Sequence, residues 1–247
     1  MFTVRLAGVD IAIDNKYAFV RRQCEGYESD GAPAFTVSAS DDEIKAEWEG
    51  SLPSVRQTYP DPEGYGESVC IYRKICHTAP LYGVFLVHSA ALCADGRAYL
   101  FSAPSGTGKT THIRLWKKIH PDVSIINGDK PLLRRNGDGG FSVCGTPWSG
   151  KEGWHRNVEA PLGGVCFLER GEENRIRTLT PGEGAALLMK QIVYPQDPAP
   201  LLKTLELSDA LVNSAPLYLL TCNISEEAAH LSYDTMTRAG AQGGKKR

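Results

Sequence analysis

The 247-residue chain has no run approaching the roughly 20 consecutive apolar residues of a membrane-spanning helix. Its opening, Met1 to Asp10, lacks the basic region and long apolar core of a signal peptide. A cytoplasmic protein with no membrane partner is the expectation. A charge excess is missing too: 27 Lys and Arg stand against 29 Asp and Glu, a formal charge of −2 that gives no global reason to expect nucleic acid. No C-x-x-C pair occurs among the seven cysteines, an odd number, several of which sit in apolar runs such as Val165-Cys166-Phe167-Leu168. Buried reduced thiols are expected rather than a zinc site or a disulfide frame. No internal repeat or low-complexity region interrupts the chain, and its length suits one large α/β domain or a large and a small one.

What is present is Ala103-Pro104-Ser105-Gly106-Thr107-Gly108-Lys109-Thr110-Thr111, close to the phosphate-loop pattern G-x-x-x-x-G-K-[ST]. Small residues there let successive backbone N–H groups converge on phosphate oxygens, while a lysine reaches the outer phosphates and a hydroxyl ligates Mg²⁺. Gly108, Lys109 and Thr110 match, but Ala103 stands where the first glycine belongs. The context is strand, loop, helix: Ala98 to Phe101 has the length and aromatic content of a buried strand, and Ile113, Trp116 and Ile119 recur at helical spacing. A helix starting at the loop aims its N-terminal N–H groups at an anion. Ser105, Gly106, Thr107, Gly108, Lys109, Thr110 and Thr111 are therefore the candidate nucleotide-binding residues. The alternative is a Gly/Ser turn before an ordinary amphipathic helix.

Residues 1–80 predict a small N-terminal α+β lobe. Strands are expected near Val4 to Leu6, Val9 to Ile13 and Ala34 to Ser38. Ser40-Asp41-Asp42-Glu43 is a capping box opening a helix; Pro53 to Gly66 reads as a loop, and Glu67 to Cys76 as a short helix. Nothing in this part forms a chemical constellation, which leaves packing or substrate presentation. Residues 81–239 read as a mixed-sheet P-loop domain, because the runs Tyr82 to Val87 and Ala90 to Cys93 give the loop's strand antiparallel neighbours where a pure Rossmann-type domain would insert a helix. Further on, Thr180 caps a helix carrying Ala186, Met189, Ile192 and Val193, and another helix spans about Pro200 to Asn213. A strand covers Leu217 to Cys222, Ser225 caps a last helix, and residues 240–247 read as a disordered tail.

The β-branched run Val123 to Ile126 ends at Asn127-Gly128-Asp129-Lys130-Pro131. An aspartate ending the strand after a phosphate-loop helix is the general layout of a Mg²⁺-binding or catalytic carboxylate; otherwise Asp129 is a turn residue. Gly145 to Asn157 holds three glycines, two tryptophans and three basic side chains without apolar periodicity, and reads as a long exposed loop working at a site. In it Lys151 and Arg156 are candidates for holding phosphate or an acidic substrate, and Trp148 either stacks on a base or packs the loop down. Arg170, ending an apolar strand, either points into the site or pairs with a neighbouring Glu.

Three of these features together resemble the catalytic domain of HPr kinase/phosphorylase and its relatives, including the kinases of lasso-peptide gene clusters, in a fold shared with phosphoenolpyruvate carboxykinase. They are Val87-His88, Ser105-Gly106-Thr107-Gly108-Lys109-Thr110 and Ile126-Asn127-Gly128-Asp129. The resemblance covers about Tyr82 to Arg177. It implies an α/β, mixed-sheet P-loop domain of HPr kinase/phosphoenolpyruvate carboxykinase type and an ATP- and Mg²⁺-dependent phosphotransferase. The acceptor it implies is a hydroxyl, serine first, of a protein, peptide or small molecule. By position, Lys109 would bind the β/γ-phosphates, Thr110 and Asp129 would ligate Mg²⁺, Asp129 would be the general base, and His88 would assist near the transferred phosphoryl group. HPr kinases assemble as hexamers, but nothing in this chain carries that assembly across, and a homo-oligomer is left open. The chain departs from the pattern in having Gly128-Asp129-Lys130 where HPr kinases commonly show adjacent aspartates. Glu152 is the candidate for their second metal-binding glutamate. The motif that docks HPr is not evident, and the chain is about half the usual length of a carboxykinase. The donor, whether ATP, GTP or pyrophosphate, stays open. The competing expectation, favoured by Ala103 and the missing second carboxylate, is a nucleotide-binding sensor or scaffold with vestigial catalysis.

Overall fold

The computed structural model describes residues 1–243. The chain opens with the hairpin β1 (Phe2–Leu6) and β2 (Val9–Asp14), to whose free edge β3 (Phe35–Ser38) adds in parallel, pairing Ile11 with Phe35. Between them lies α1 (Ala18–Gln23). The capping box at Ser40 and Glu43 starts α2 (Asp41–Gly50). The stretch read as a loop is instead helical: α3 (Pro53–Thr58) and α4 (Pro62–Thr78) both begin on a proline. Proline at the first helical position loses only an N–H that has no intrahelical partner, and Asp61 Oδ1 caps α4 by accepting from Gly64 N at 2.9 Å.

The second part is a mixed sheet built from β4 (Val84–Leu86), β5 (Ser89–Ala94), β6 (Arg97–Ser102), β7 (Ser124–Asn127), β8 (Leu132–Arg135), β9 (Phe141–Cys144), β10 (Glu159–Arg170), β11 (Arg175–Thr178) and β12 (Leu217–Cys222). Among the described residues its order is β4-β8-β9-β10-β6-β5-β7, with β12 also on β10 and β11 on β12. Of the two runs expected beside the loop's strand, Ala90 to Cys93 is there, as β5 paired antiparallel with β6, but Tyr82 to Val87 is not: β4 stands at the other end of the sheet and pairs with β8. The long β10 is the hub. Its first residues pair antiparallel with β9, and after an irregularity between Leu162 and Gly164 it runs parallel to β6 and β12.

Helix α5 (Lys109–Ile119) packs Ile113 and Trp116 onto Phe101 and Tyr99, and α8 (Glu226–Gly243) closes that layer with Ala229 and Met236. On the other face α6 (Pro181–Leu188) and α7 (Pro198–Ser214) cover Leu100, Val165 and Leu133. Ile192 and Val193, expected in the helix after Thr180, lie beyond it: α6 passes into a 3-10 turn at Met189–Gln191, and Ile192 forms a bridge to Val87. The last helix continues past the expected start of the tail to Gly243, and residues 244–247 lie outside the described residues.

A third cluster joins the two parts of the chain, with Ile71, Tyr72 and Ile75 of α4 buried against Leu86, Leu132, Cys144 and Trp148. All seven cysteines are free thiols; burial pushes Cys24, Cys76 and Cys144 up to about 12. Among the described residues no helix is long and apolar enough to cross a membrane.

Candidate active site

Strand β6 ends at Ser102, the loop of residues 103–108 follows, and α5 starts at Lys109. Gly106 and Gly108 sit at φ 80° and 125°, where L side chains are strained. Ala103 does not, since positive φ among described non-glycine residues is confined to Ala7 and Asp95, so the departure from the first glycine is accommodated here without strain. Lys109 is buried at 8% exposure, and its Nζ donates to the Ala103 carbonyl at 2.8 Å. Burial lowers its pKa while the charge of Asp129 works the other way, and the net effect is downward. Arg170, at the end of β10, donates from Nε to Thr107 O (3.2 Å) and from Nη2 to Gly106 O (2.5 Å). It pairs with no neighbouring Glu but pins two loop carbonyls. Beneath the loop, His112 Nε2 and Trp116 Nε1 meet at Ser232 Oγ of α8, at 2.9 and 2.7 Å. Burial pushes the His112 pKa down to about 4.

Asp129 is held by a lattice of buried side chains. The amide oxygen of Asn127 accepts from the backbone N–H groups of Asp129 (2.9 Å) and Lys130 (2.7 Å), and its Nδ2 donates to Thr146 O at 2.9 Å. Thr146 Oγ1 and Tyr72 OH both donate to Lys130 O, at 2.8 and 2.7 Å. His88 Nε2 lies 3.1 Å from Asp129 Oδ1, and because an ionised carboxylate only accepts, Nε2 carries the hydrogen. Burial pushes the Asp129 carboxyl up, but the His88 hydrogen bond and the charges of Lys130, His88 and Lys109 outweigh it. The group therefore sits below its ordinary value and is ionised at neutral pH.

Two cavities flank this pair and share no lining residue. One, of about 900 Å³, lies between the loop before α5 and α6 and is lined by Ala103 to Thr107, Phe167, Leu179, Leu187 and polar groups that include Arg177 and Gln191. The other, of about 620 Å³, is lined by Asp129, Lys130 and residues of α1, α3 and α4. His88 stands between them: its N–H donates to Gln191 O and its carbonyl accepts from Ser102 Oγ, both at 2.8 Å and both with residues of the first cavity, while its ring reaches Asp129 in the second.

The family model of the SynChlorMet cassette protein ScmC matches residues 67–227, more than half of the chain. The chain belongs to the ScmC family. No curated protein matches it in sequence. Among solved structures, it is similar to the HPr(Ser) kinase/phosphatase from Coxiella burnetii at 11% identity, covering 62% of this chain and 98% of that one, with a TM-score of 0.34. That similarity is distant. The fold of this ScmC-family chain is mixed α/β on the evidence of its own strands and helices.

Of the residues singled out in the sequence, His88, Lys109 and Asp129 come together electrostatically, with Thr110 and Thr111 half-buried in the first turn of α5 and Ser105 exposed on the loop. Lys151 lines the Asp129 cleft; Arg156 lines a different surface cavity with Arg114 and Lys117. Glu152 lies 3.8 Å from Arg114 Nη2, and no group of three His, Cys, Asp or Glu residues suited to a metal exists among the described residues. The segment read as an exposed loop is buried from Gly145 to Ser149, and Trp148 packs the loop down: its ring stacks on Tyr72 at 4.3 Å and its Nε1 donates to Ser68 Oγ at 2.9 Å. Gly128 stands where a second aspartate was sought, and a Cβ there would come within 2.9 Å of Ser149 O. Asn127, Thr146 and Tyr72 were not anticipated. The available signal was Asn127 itself, an amide ending a β-branched strand.

Proposed function

We propose that the chain is a phosphotransferase that moves the terminal phosphoryl group of a nucleotide, ATP first, to a hydroxyl. The observation that carries this reading is the electrostatic coupling of Lys109 in the phosphate loop to Asp129, with His88 hydrogen-bonded to the same carboxylate. In this reading residues 103–111 hold the phosphates and the cavity of about 900 Å³ takes the nucleoside, its size and largely apolar lining being those of a small-molecule site. The donor set suits Mg²⁺ held mainly through nucleotide phosphates, with Thr110 and Asp129 as its protein ligands, since Mg²⁺ needs only one or two carboxylates beside phosphate oxygens. When bound, the ion would neutralise charge on the β- and γ-phosphates.

The acceptor oxygen forms its bond to the γ-phosphorus as the bond from phosphorus to the β–γ bridging oxygen breaks, and that oxygen leaves with the nucleoside diphosphate. The hydroxyl proton passes to the Asp129 carboxylate. With Oδ1 taken by His88, Oδ2 is the oxygen without a hydrogen bond, 3.9 Å from Lys130 Nζ and beside Gly150 on the cleft side. His88 fixes the carboxylate's orientation and keeps it ionised. A protein, peptide or small-molecule hydroxyl, serine first, is the acceptor class.

A second reading, a nucleotide-binding sensor with vestigial catalysis, is favoured by the Gly128 backbone, which leaves no room for a second carboxylate. Calorimetry with ATP and Mg²⁺, run beside a phosphate-release and transfer assay, separates them. The phosphotransferase reading expects binding and γ-phosphate turnover in the wild type and loss of both in Lys109→Ala. Binding without turnover across a broad set of acceptors supports the sensor, and unchanged binding in Lys109→Ala overturns the phosphate-loop assignment.

A further inference from the structure

We infer that the cleft of about 620 Å³ is the acceptor site and that it selects a small hydroxyl compound carrying an anionic group, held by Arg22 of α1 and Lys151. The inference rests on the phosphotransferase reading and specifies its substrate class.

The cleft is walled by both parts of the chain, which are tied together at its base. Gln23 Nε2 donates to Pro147 O at 3.3 Å, and Trp148 Nε1 donates to Ser68 Oγ. A space of this volume takes a small molecule or a single side chain rather than a folded surface. Its lining holds three permanent cations, Arg22, Lys130 and Lys151, against one carboxylate, Asp129. Lys130 Nζ is 3.9 Å from Asp129 Oδ2, so those two charges offset each other. Burial lowers the pKa of His155, the other titratable base in the lining. That leaves Arg22 and Lys151, both exposed and neither with an ion-pair or hydrogen-bond partner for its side chain among the described residues. By contrast, on the neighbouring α4 Arg73 pairs with Glu47 at 2.6 Å and Lys74 with Glu43 at 2.8 Å.

Two uncompensated cations around a cleft that also holds an ionised base complement a ligand with one negative group and one neutral hydroxyl. The anion is drawn to Arg22 and Lys151, and the hydroxyl is left facing Asp129. Tyr59 and Tyr65, with ring centres 4.3 Å apart, supply an apolar wall and two hydroxyls that have no partner among the described residues.

The test uses glycerol 3-phosphate as the probe, titrated into the full-length protein saturated with ADP and Mg²⁺ so that the phosphate loop is already filled. Glycerol 3-phosphate is expected to bind and uncharged glycerol is not. Arg22→Ala combined with Lys151→Ala is expected to weaken the probe roughly tenfold or more, with the unfolding midpoint as the folding control and Arg22→Glu as a second variant should the double one fail to fold. Affinity that is unaltered in these variants overturns the inference. So does binding of a short acidic serine peptide with none of glycerol 3-phosphate, which would assign the cleft to a polypeptide. Failure of the wild type to bind ADP overturns instead the phosphotransferase reading on which the inference stands.

Discussion

On one side of His88 the chain offers mainly backbone: a loop of small residues with Gly106 and Gly108 in left-handed or similar conformations, its carbonyls pinned by Lys109 and Arg170. On the other side it offers side chains, with Asn127, Thr146, Tyr72 and Trp148 locking the segment that carries Asp129. The first arrangement suits a ligand rich in anionic oxygens, which converging N–H groups can meet without a unique geometry. The second suits a single carboxylate whose position must be fixed to a fraction of an ångström. The Asp129 side also depends on the N-terminal lobe, whose α4 supplies Tyr72 and Ser68. The loop side depends on α8 through Ser232.

The largest expected effect follows from that dependence. Trp148→Ala removes a fully packed ring, its stack on Tyr72 and its bond to Ser68, and should cost about 3–5 kcal/mol of stability in denaturant unfolding. It should also impair transfer more than nucleotide binding. A loss below about 1 kcal/mol would mean that the two parts of the chain are not coupled through this residue.

A smaller effect distinguishes the two sides by pH. His112 has a folded pKa of about 4 against an ordinary value near 6.5, so on acidification the unfolded chain takes up the proton first. Its contribution to stability is therefore complete above about pH 6.5 and is lost as pH falls towards 4, by up to about 3 kcal/mol. His112→Gln should flatten that slope, leaving the shallower one from His77 and His155, whose pKa values burial also lowers. Asp129 acts with the same sign in a lower pH window. Its folded pKa lies below the ordinary carboxylate value, so its contribution is present above about pH 3.9 and is lost only as pH falls through the folded value. Stability curves of wild type and His112→Gln that coincide between pH 7 and about 4 would contradict this account of the loop side.

How far the sequence could be read follows the same division. The strand and helix flanking residues 103–108 and the antiparallel β5 are legible, because strand and helix patterning is local, whereas the placing of β4 beside β8 is a long-range pairing. The contact of His88 with Asp129 joins two positions the sequence singles out. The lattice around Asp129 is not legible, since Tyr72, Asn127 and Thr146 meet only through tertiary contacts. Gly145 to Ser149 look like loop because they have no periodicity, yet they are buried by pairing with Asn127 and α4. Pro53 and Pro62 look like breakers but begin helices, a distinction that depends on which N–H groups lack partners. Ala103 departs from the pattern, yet its φ is negative, so the backbone there does not require glycine.

The most direct measurement takes wild type and Asp129→Asn through two assays on the same samples: equilibrium binding of Mg²⁺-nucleotide, and the fate of γ-labelled phosphate in a single turnover. With Asp129 as the base and residues 103–111 as the phosphate site, the variant should still bind Mg²⁺-nucleotide, weakened only by the loss of one Mg²⁺ ligand, and lose about 10²–10⁴-fold in transfer. Equal transfer by the two proteins would contradict the account.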